Sequence, residues 1–320
     1  MMKSIKIIKT RSDIGAGTRG ADLGIDAIEV AAKKIKDDFF NNYEYYDVKT
    51  YNEVIYNKNT TEFAKRIGNV LEVCTNLAEA VKDSLKENKF PLVLSGDHSS
   101  ALGSISGVKM AFPNKRIGVV WIDAHADIHS PHTTPSGNIH GMPLAAVLAD
   151  DNKERKINEL DDETTKYWEA MKNIGGTAPK VKHEDLVYFG VRDTEEPEEY
   201  TIEKNGIKNY TVDELRYRGL KVCMQEAMQS LSACDMIYIT FDVDSMDSDL
   251  ISEGTGTPVS KGFDEFEIIE IINSVIATGK VACLEFVEVN PCLDNKCNLM
   301  AETAFDILST VTVKLEEKLS

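Results

Sequence analysis

The sequence lacks any apolar run approaching the roughly 18 residues that a membrane span needs. Its opening, MMKSIKIIKTRSD, returns to polar residues after a few apolar ones, which reads as neither a signal peptide nor an anchor and points to the cytoplasm. Positive charge is short as well, with 36 Lys and Arg against 53 Asp and Glu, a formal charge of −17. Such a chain repels a polyanion at every approach, which excludes nucleic acid as a partner. Cysteine is scarce. The six residues Cys74, Cys223, Cys234, Cys283, Cys292 and Cys297 show no paired framework, and most sit in apolar strand-like or helical text. They read as buried free thiols in a reducing cytosol. Only Cys292 and Cys297 lie close together, and without a neighbouring histidine they make a poor zinc signature. No internal repeat and no Pro-, Gly- or Ser-rich linker interrupts the chain.

Apolar text, by contrast, is ample: 42% of the 320 residues are apolar and 28% charged, enough for a large core. Short β-branched runs recur at 5-IKIIKT-10, 91-PLVLS-95, 117-IGVVWI-122, 186-LVYFGV-191, 235-DMIYITF-241 and 281-VACLEFVEV-289. Several are apolar at consecutive positions, as strands of a parallel sheet covered on both faces are. Between them the text has helical period. In 62–88, Phe63, Ile67, Val70, Leu71, Cys74, Leu77, Ala78, Val81 and Leu85 fall on one stripe, and 264–279 and 299–317 are similar. This alternation predicts an α/β fold, a single domain over 1–320, with a mainly parallel sheet and helices on both faces. The one shift in composition is the charged insertion 150–173. It reads as a solvated helical excursion, with a flap or subunit contact as the alternative.

Histidine is unevenly placed. His98, His125, His129, His132 and His140 lie within 43 residues, where an even spread of six would put about one. Two of them sit among carboxylates directly after predicted strands, in 95-SGDHS-99 and 123-DAHAD-127. In an α/β sheet, ligands bind at the carboxyl ends of strands. If the strand continues extended, Asp123, His125 and Asp127 point to one side, because side chains alternate with period two. Asp242 and Asp244, in 240-TFDVDSMDSD-249, repeat the device after another buried strand. Four carboxylates in a low-dielectric cleft are costly unless a cation sits among them. Two imidazoles and four carboxylates exceed what one open zinc uses and suit a pair of metals bridged by shared aspartates. The oxygen-rich set favours Mn²⁺ over Zn²⁺, and ligand type leaves Fe²⁺, Co²⁺ and Ni²⁺ as alternatives. Two such ions hold a bridging water and lower its pKa, which supplies a hydroxide nucleophile. Taken segment by segment, the bland alternative is turn aspartates and helix caps. Another loop, 15-GAGTRG-20, fits a dinucleotide fingerprint after 5-IKIIKT-10, but lacks the prompt helix and the acidic residue that a cofactor site requires. It reads as a tight structural loop near the sheet edge or a subunit contact.

The combination resembles the ureohydrolase family, the binuclear manganese enzymes that include arginase and agmatinase. It runs in the family's order through 95-SGDHS-99, 123-DAHAD-127, 136-SGNIHGMP-143, 190-GVRD-193, 241-FDVDSMD-247, 256-GTPV-259 and 285-EFVEVNP-291, and 136-SGNIHGMP-143 looks like the arginase branch. The resemblance implies an arginase-like three-layer α/β/α fold and two Mn²⁺ per chain. One ion would be held by His98, Asp123, Asp127 and Asp242, the other by His125, Asp123, Asp242 and Asp244. It further implies that hydroxide attacks the guanidino carbon of L-arginine to give L-ornithine and urea. Asp127 would accept a hydrogen bond from the nucleophile, Glu288 would bind the guanidinium and His140 would shuttle protons. The duller rivals are a helix cap for His140 and a structural arginine partner for Glu288. His129 and His132 read as pocket or loop residues.

The amino-acid end of the substrate would lie against Thr134, Ser136 and Asn138, with an acidic residue after 190-GVRD-193. Here the chain departs from the family's pattern. His129 stands where arginases usually carry asparagine, and Glu195 or Glu196 stands in place of the expected aspartate. Ser95 replaces a usual glycine and Ser248 a usual proline, changes read as touching backbone shape only. The rival substrates are agmatine, guanidinobutyrate and other guanidino compounds. The rival classes are a single-zinc deacetylase, which needs only an Asp–His–Asp set, and a catalytically silent subunit. The implied partners are a small guanidino molecule and other copies of the chain, as a trimer or hexamer.

Overall fold

A strand run that is apolar at every position must be covered on both faces, because successive side chains point to opposite sides. The computed structural model, which describes residues 4–36 and 38–319, meets that demand with one sheet between two helical layers. Among these residues the strands are β1 (Ser4–Thr10), β2 (Glu44–Asp47), β3 (Lys89–Ser95), β4 (Ile117–Ile122), β5 (Leu186–Phe189), β6 (Lys208–Tyr210), β7 (Met236–Asp242) and β8 (Val281–Val287). They lie in the order β2-β1-β3-β8-β7-β4-β5-β6, and every neighbouring pair is parallel. The helices are α1 (Gly24–Ile35), α2 (Ile67–Lys86), α3 (Ser100–Ala111), α4 (Pro143–Leu148), α5 (Asp162–Lys172), α6 (Glu196–Asn205), α7 (Val212–Arg218), α8 (Leu220–Ser230), α9 (Glu265–Ile276) and α10 (Leu299–Leu319).

The alternation within β4 divides the core. Val119 and Trp121 pack with residues of α2, α3, α4 and α5, while Val120 and Ile122 pack with residues of α1, α8, α9 and α10. Because all strands are parallel, their carboxyl ends share one edge. The four central strands, β3, β8, β7 and β4, end there side by side. From this centre the chain winds outward both ways, to β1 and β2 on one side and to β5 and β6 on the other, which opens a crevice at the point of reversal.

Four features differ from the sequence reading. Strands β2 and β6 were not anticipated, since they are short edge segments, and the four residues of β2 are all exposed. Helix α2 begins at Ile67 rather than near 62, because Arg66 is left-handed (φ 57°) and breaks the run before it. Cys292 and Cys297 are exposed, whereas the other four cysteines are buried, since these two follow Pro291 in a loop outside the regular elements. The charged insertion is more than a solvated excursion. Asp161 caps α5 by accepting from the Thr164 amide (2.6 Å), and Trp168 and Met171 on the same helix are buried. The Trp168 indole and the Lys172 ammonium both donate to Asp151 at 2.8 Å. No helix among the described residues is long and apolar enough to cross a membrane.

If α5 is a packed element, Trp168→Ala should lose about 3–5 kcal/mol of unfolding free energy in urea, while Lys166→Ala on its exposed side should stay within about 0.5 kcal/mol. Equal midpoints for the two variants would return the insertion to a solvated role.

Candidate active site

The six expected metal ligands all lie at the carboxyl ends of central strands. His98 follows β3, Asp123, His125 and Asp127 follow β4, Asp242 is the last residue of β7, and Asp244 lies in the turn Val243–Ser245. They do not converge by the pleat of an extended strand, as the period-two argument supposed. Strand β4 stops at Ile122, and the chain turns back so that Asp127 adopts a left-handed conformation (φ 48°). After β7, the Asp242 carboxylate accepts the Asp244 amide at 2.8 Å and so starts the turn that brings Asp244 inward. A side chain that caps its own loop spares that loop's orphan donors.

The convergence is tight. His98 Nδ1 lies 3.0 Å from Asp123 Oδ2, 3.0 Å from Asp127 Oδ2 and 3.2 Å from Asp242 Oδ2, yet this buried nitrogen has no properly aligned hydrogen-bond partner. One ring N–H satisfies one acceptor, whereas three carboxylate oxygens gathered around a ring nitrogen are what an ion between them would organise. A second group joins Asp123 with His125 and Asp244, whose ligand atoms lie within 4.8 Å of one another, so Asp123 is common to both groups. His125 Nδ1 is 3.0 Å from Asp244 Oδ2 and 3.6 Å from Asp123 Oδ1. Burial pushes the Asp242 carboxyl well above its usual range, and the charges of Asp244 and Asp123 push it further. Asp127 rises to about 6 through burial and the neighbouring Asp123 charge. Burial acts on Asp123 too, but the imidazoles of His125 and His98 beside it hold it below the usual range. Mutual repulsion of this kind is what a divalent cation relieves, and the donor set fits one.

A second layer aims the ligands, and the sequence reading missed it. Thr240 Oγ1 is 2.8 Å from His98 Nε2, which leaves Nδ1 facing the carboxylates. The Trp121 ring stacks on His98 with centroids 4.1 Å apart, and its indole donates to Asp123 Oδ2 at 2.8 Å. Thr257 donates to Asp244 Oδ2 at 3.0 Å. The signal was available for two of these: Thr240 stands two before Asp242 and Trp121 two before Asp123, on the same face of their strands. Arg192 gathers the loops from behind, donating to the carbonyls of Gly190, Asp244 and Val259 at 3.0, 2.9 and 2.8 Å.

Beside this centre lies a pocket lined by Glu288, His140, His129, Thr134, Ser136, Asn138 and Glu195, all of the expected substrate contacts. Glu288 is buried and left-handed (φ 66°), and its Oε1 accepts the His98 amide at 2.9 Å and lies 3.2 Å from His140 Nδ1. It pairs with this imidazole and not with an arginine. Thr134 Oγ1 accepts the Gly137 amide (3.0 Å) and Ser136 Oγ the Asn138 amide (3.2 Å), which shapes the loop. His129 Nε2 lies 3.2 Å from Glu195 Oε2 and 3.6 Å from Glu198 Oε2. Glu196 instead pairs with Arg155, outside the pocket lining, and His132 does not line the pocket either. Glu198 was overlooked, although it falls one helical turn after Glu195 and both begin α6. Burial pushes its carboxyl up to about 8, against the backbone amides of Glu195 and Ile128.

Two lesser expectations change. The 15-GAGTRG-20 loop is not at a remote edge but against the site, with the Gly15 amide donating to Asp97 (2.9 Å) and its carbonyl accepting from the His140 amide (3.1 Å). Ser95 does more than shape backbone: with Ser100 and Tyr238 it donates to the fully buried Glu285, at 2.8, 2.6 and 2.7 Å. These hydroxyls solvate a carboxylate that has no other side-chain partner among the described residues.

A profile of the arginase family matches residues 3–313. The chain belongs to the arginase family. An arginase of Bacillus subtilis (strain 168) is 35% identical over 316 residues, covering 98% of this chain and 99% of that one. The arginase of Brevibacillus brevis is 36% identical over 315 residues, covering 97% and 98%. The solved arginase of Bacillus caldovelox superposes with a TM-score of 0.81 at 33% identity over 98% of each chain. A formimidoylglutamase of Bacillus subtilis, with a TM-score of 0.74 at 17% identity, shares the fold. Membership of the arginase family makes this chain an enzyme, a hydrolase of the ureohydrolase type.

If Thr240 orients His98, Thr240→Val should weaken metal binding about 10–100-fold in calorimetric titration, with unchanged affinity refuting the role. Because Glu198 holds a proton up to about 8 in the folded chain but only to its usual 4.5 when unfolded, stability should fall as pH climbs between those values. Urea unfolding of chelator-treated protein should show a flatter pH slope for Glu198→Gln than for the unmodified chain.

Proposed function

We propose that the protein is a binuclear manganese arginase, cleaving L-arginine to L-ornithine and urea. What supports this best is the gathering of three carboxylates around His98 Nδ1, with the second group of His125, Asp123 and Asp244 sharing Asp123. His98, Asp123, Asp127 and Asp242 would hold one ion, and His125, Asp123, Asp242 and Asp244 the other. When bound, the pair would supply positive charge that acidifies a water and so furnishes a nucleophile for the guanidino carbon.

The chain's own residues do the rest. Glu288, buried beside the His98 loop, offers a carboxylate to the planar guanidinium, the natural partner of paired oxygens. Asp127 would accept a hydrogen bond from the attacking water. His140 is part-buried, which lowers its affinity for protons, but its contact with Glu288 outweighs this and its pKa rises to about 9. It therefore carries a proton at neutral pH and can give it to the departing amine. At the outer end, hydroxyl and amide groups of Thr134, Ser136 and Asn138 suit a carboxylate, and Glu195 suits an ammonium.

A second reading, cleavage of agmatine or guanidinobutyrate, is favoured by one feature: the contact between His129 and Glu195, where the family's pattern has asparagine and aspartate. A urea-release panel after Mn²⁺ loading separates them. L-Arginine should be turned over fastest and metal analysis should give close to two ions per chain; faster turnover of agmatine or guanidinobutyrate would overturn the substrate assignment. His140→Asn should lower kcat about 10²–10³-fold with both ions retained, and undiminished turnover would remove it from the mechanism.

A further inference from the structure

Glu285 of β8, three residues before Glu288, lies outside the pocket lining and is fully buried. The register sets it in the middle of the sheet, opposite Val93 of β3 on one side and Thr240 of β7 on the other. A carboxyl group in that position is costly unless its oxygens are satisfied. Three hydroxyls satisfy it: Ser95 and Ser100 donate to Oε1 at 2.8 and 2.6 Å, and Tyr238 donates to Oε2 at 2.7 Å. All three lead to one imidazole. Ser95 ends β3 and Ser100 begins α3, so the two bracket the turn 96–99 that carries His98. Tyr238 stands two residues before Thr240 on the same face of β7, and Thr240 Oγ1 lies 2.8 Å from His98 Nε2.

Glu288 grips the tip of the same turn. Its amide donates to the Gly96 carbonyl at 2.7 Å, and its Oε1 accepts the His98 amide at 2.9 Å. Gly96 is closed in from another side, since a Cβ there would fall 2.1 Å from the Ser12 carbonyl oxygen. The turn is therefore pinned by two glutamates three residues apart, one at its stem and one at its tip. Core packing alone asks for neither Glu285 nor Ser95. An apolar side chain would fill the place of Glu285 without a desolvation cost, and the glycine of the family's pattern in place of Ser95 would bring no donor.

We propose that Glu285 is a positioning residue of the metal centre: with Ser95 and Ser100 it clamps the turn that presents His98 to one of two ions. This rests on the binuclear reading above. His98 belongs to the group formed with Asp123 and Asp127, and not to the group of Asp123, His125 and Asp244. The clamp therefore acts on one ion's site and spares the other. A glutamine in place of Glu285 keeps the shape but exchanges one oxygen for an N–H₂ group, which accepts nothing from a hydroxyl. At least one of the three hydroxyls must then turn away, and the stem of the turn loosens.

The test is calorimetric titration of Mn²⁺ into the chelator-treated chain, unmodified and as Glu285→Gln, Ser95→Ala and Ser106→Ala. Ser106 is the control: its buried hydroxyl donates to the Leu102 carbonyl at 2.6 Å within α3 and takes no part in the clamp. Glu285→Gln should weaken one of the two ions about tenfold and leave the other within about twofold. Ser95→Ala should weaken that same ion about threefold, the worth of one hydrogen bond, and it decides the matter if the glutamine variant does not fold. Ser106→Ala should lower the urea midpoint and leave both affinities unchanged. Equal weakening of both ions in Ser95→Ala, or of neither, would overturn the clamp. Uptake of fewer than two ions by the unmodified chain would instead overturn the binuclear reading beneath it.

Discussion

Asp123, Asp127, Asp242 and Asp244 are buried in one crevice, where the charge of Asp123 makes the other three harder to ionise. A cluster of like charges out of water persists only where something offsets the repulsion and where the backbone leaves the carboxylates no other place to go. Here the backbone constraint is explicit: a strand that stops at Ile122, a left-handed Asp127, and a turn capped by Asp242 itself. A divalent cation would supply the offset, and the convergence on His98 Nδ1 fits one. Stability and chemistry are joined at this point. The same carboxylates that are unfavourable as a protein feature are favourable as ligands, and the hydroxyl and indole groups of Thr240 and Trp121 keep the imidazole and Asp123 aimed accordingly.

The charge of the whole chain extends that logic outward. An excess of 17 negative charges raises the local concentration of cations around the mouth of the crevice, and both a metal ion and the guanidinium substrate proposed above are cations.

Much of this was legible in the residues. Consecutive apolar positions in 117-IGVVWI-122 require cover on both faces, and β4 has it. The clustering of histidines and aspartates after strands located the crevice because strand ends and ligand types are both local properties of the text. What the text obscured was geometry made by turns. The period-two argument brought Asp123, His125 and Asp127 together for the wrong reason, since left-handed residues and caps do not announce themselves in hydropathy. Edge strands such as Lys208–Tyr210 are too short to show a pattern. Glu198 depends on which loop lies against which, a long-range fact, and Trp168 was hidden in a segment whose composition is dominated by its charged face.

The sheet order carries an implication for how the chain is made. Strands β1 to β3 and β4 to β6 occupy the two flanks, whereas the two strands that join them, β7 and β8, come from residues 236 onward. Until those are synthesised, β3 and β4 present bare apolar edges to the cell, and the ligands at their tips have no partners across the gap. The protein must therefore pass through a long interval on the ribosome as two unjoined halves, a state in which unpaired edges invite aggregation. Insertion of the last two strands would close the hydrophobic seam and assemble the ion-binding cleft in one event, so that competence to bind metal reports a finished sheet.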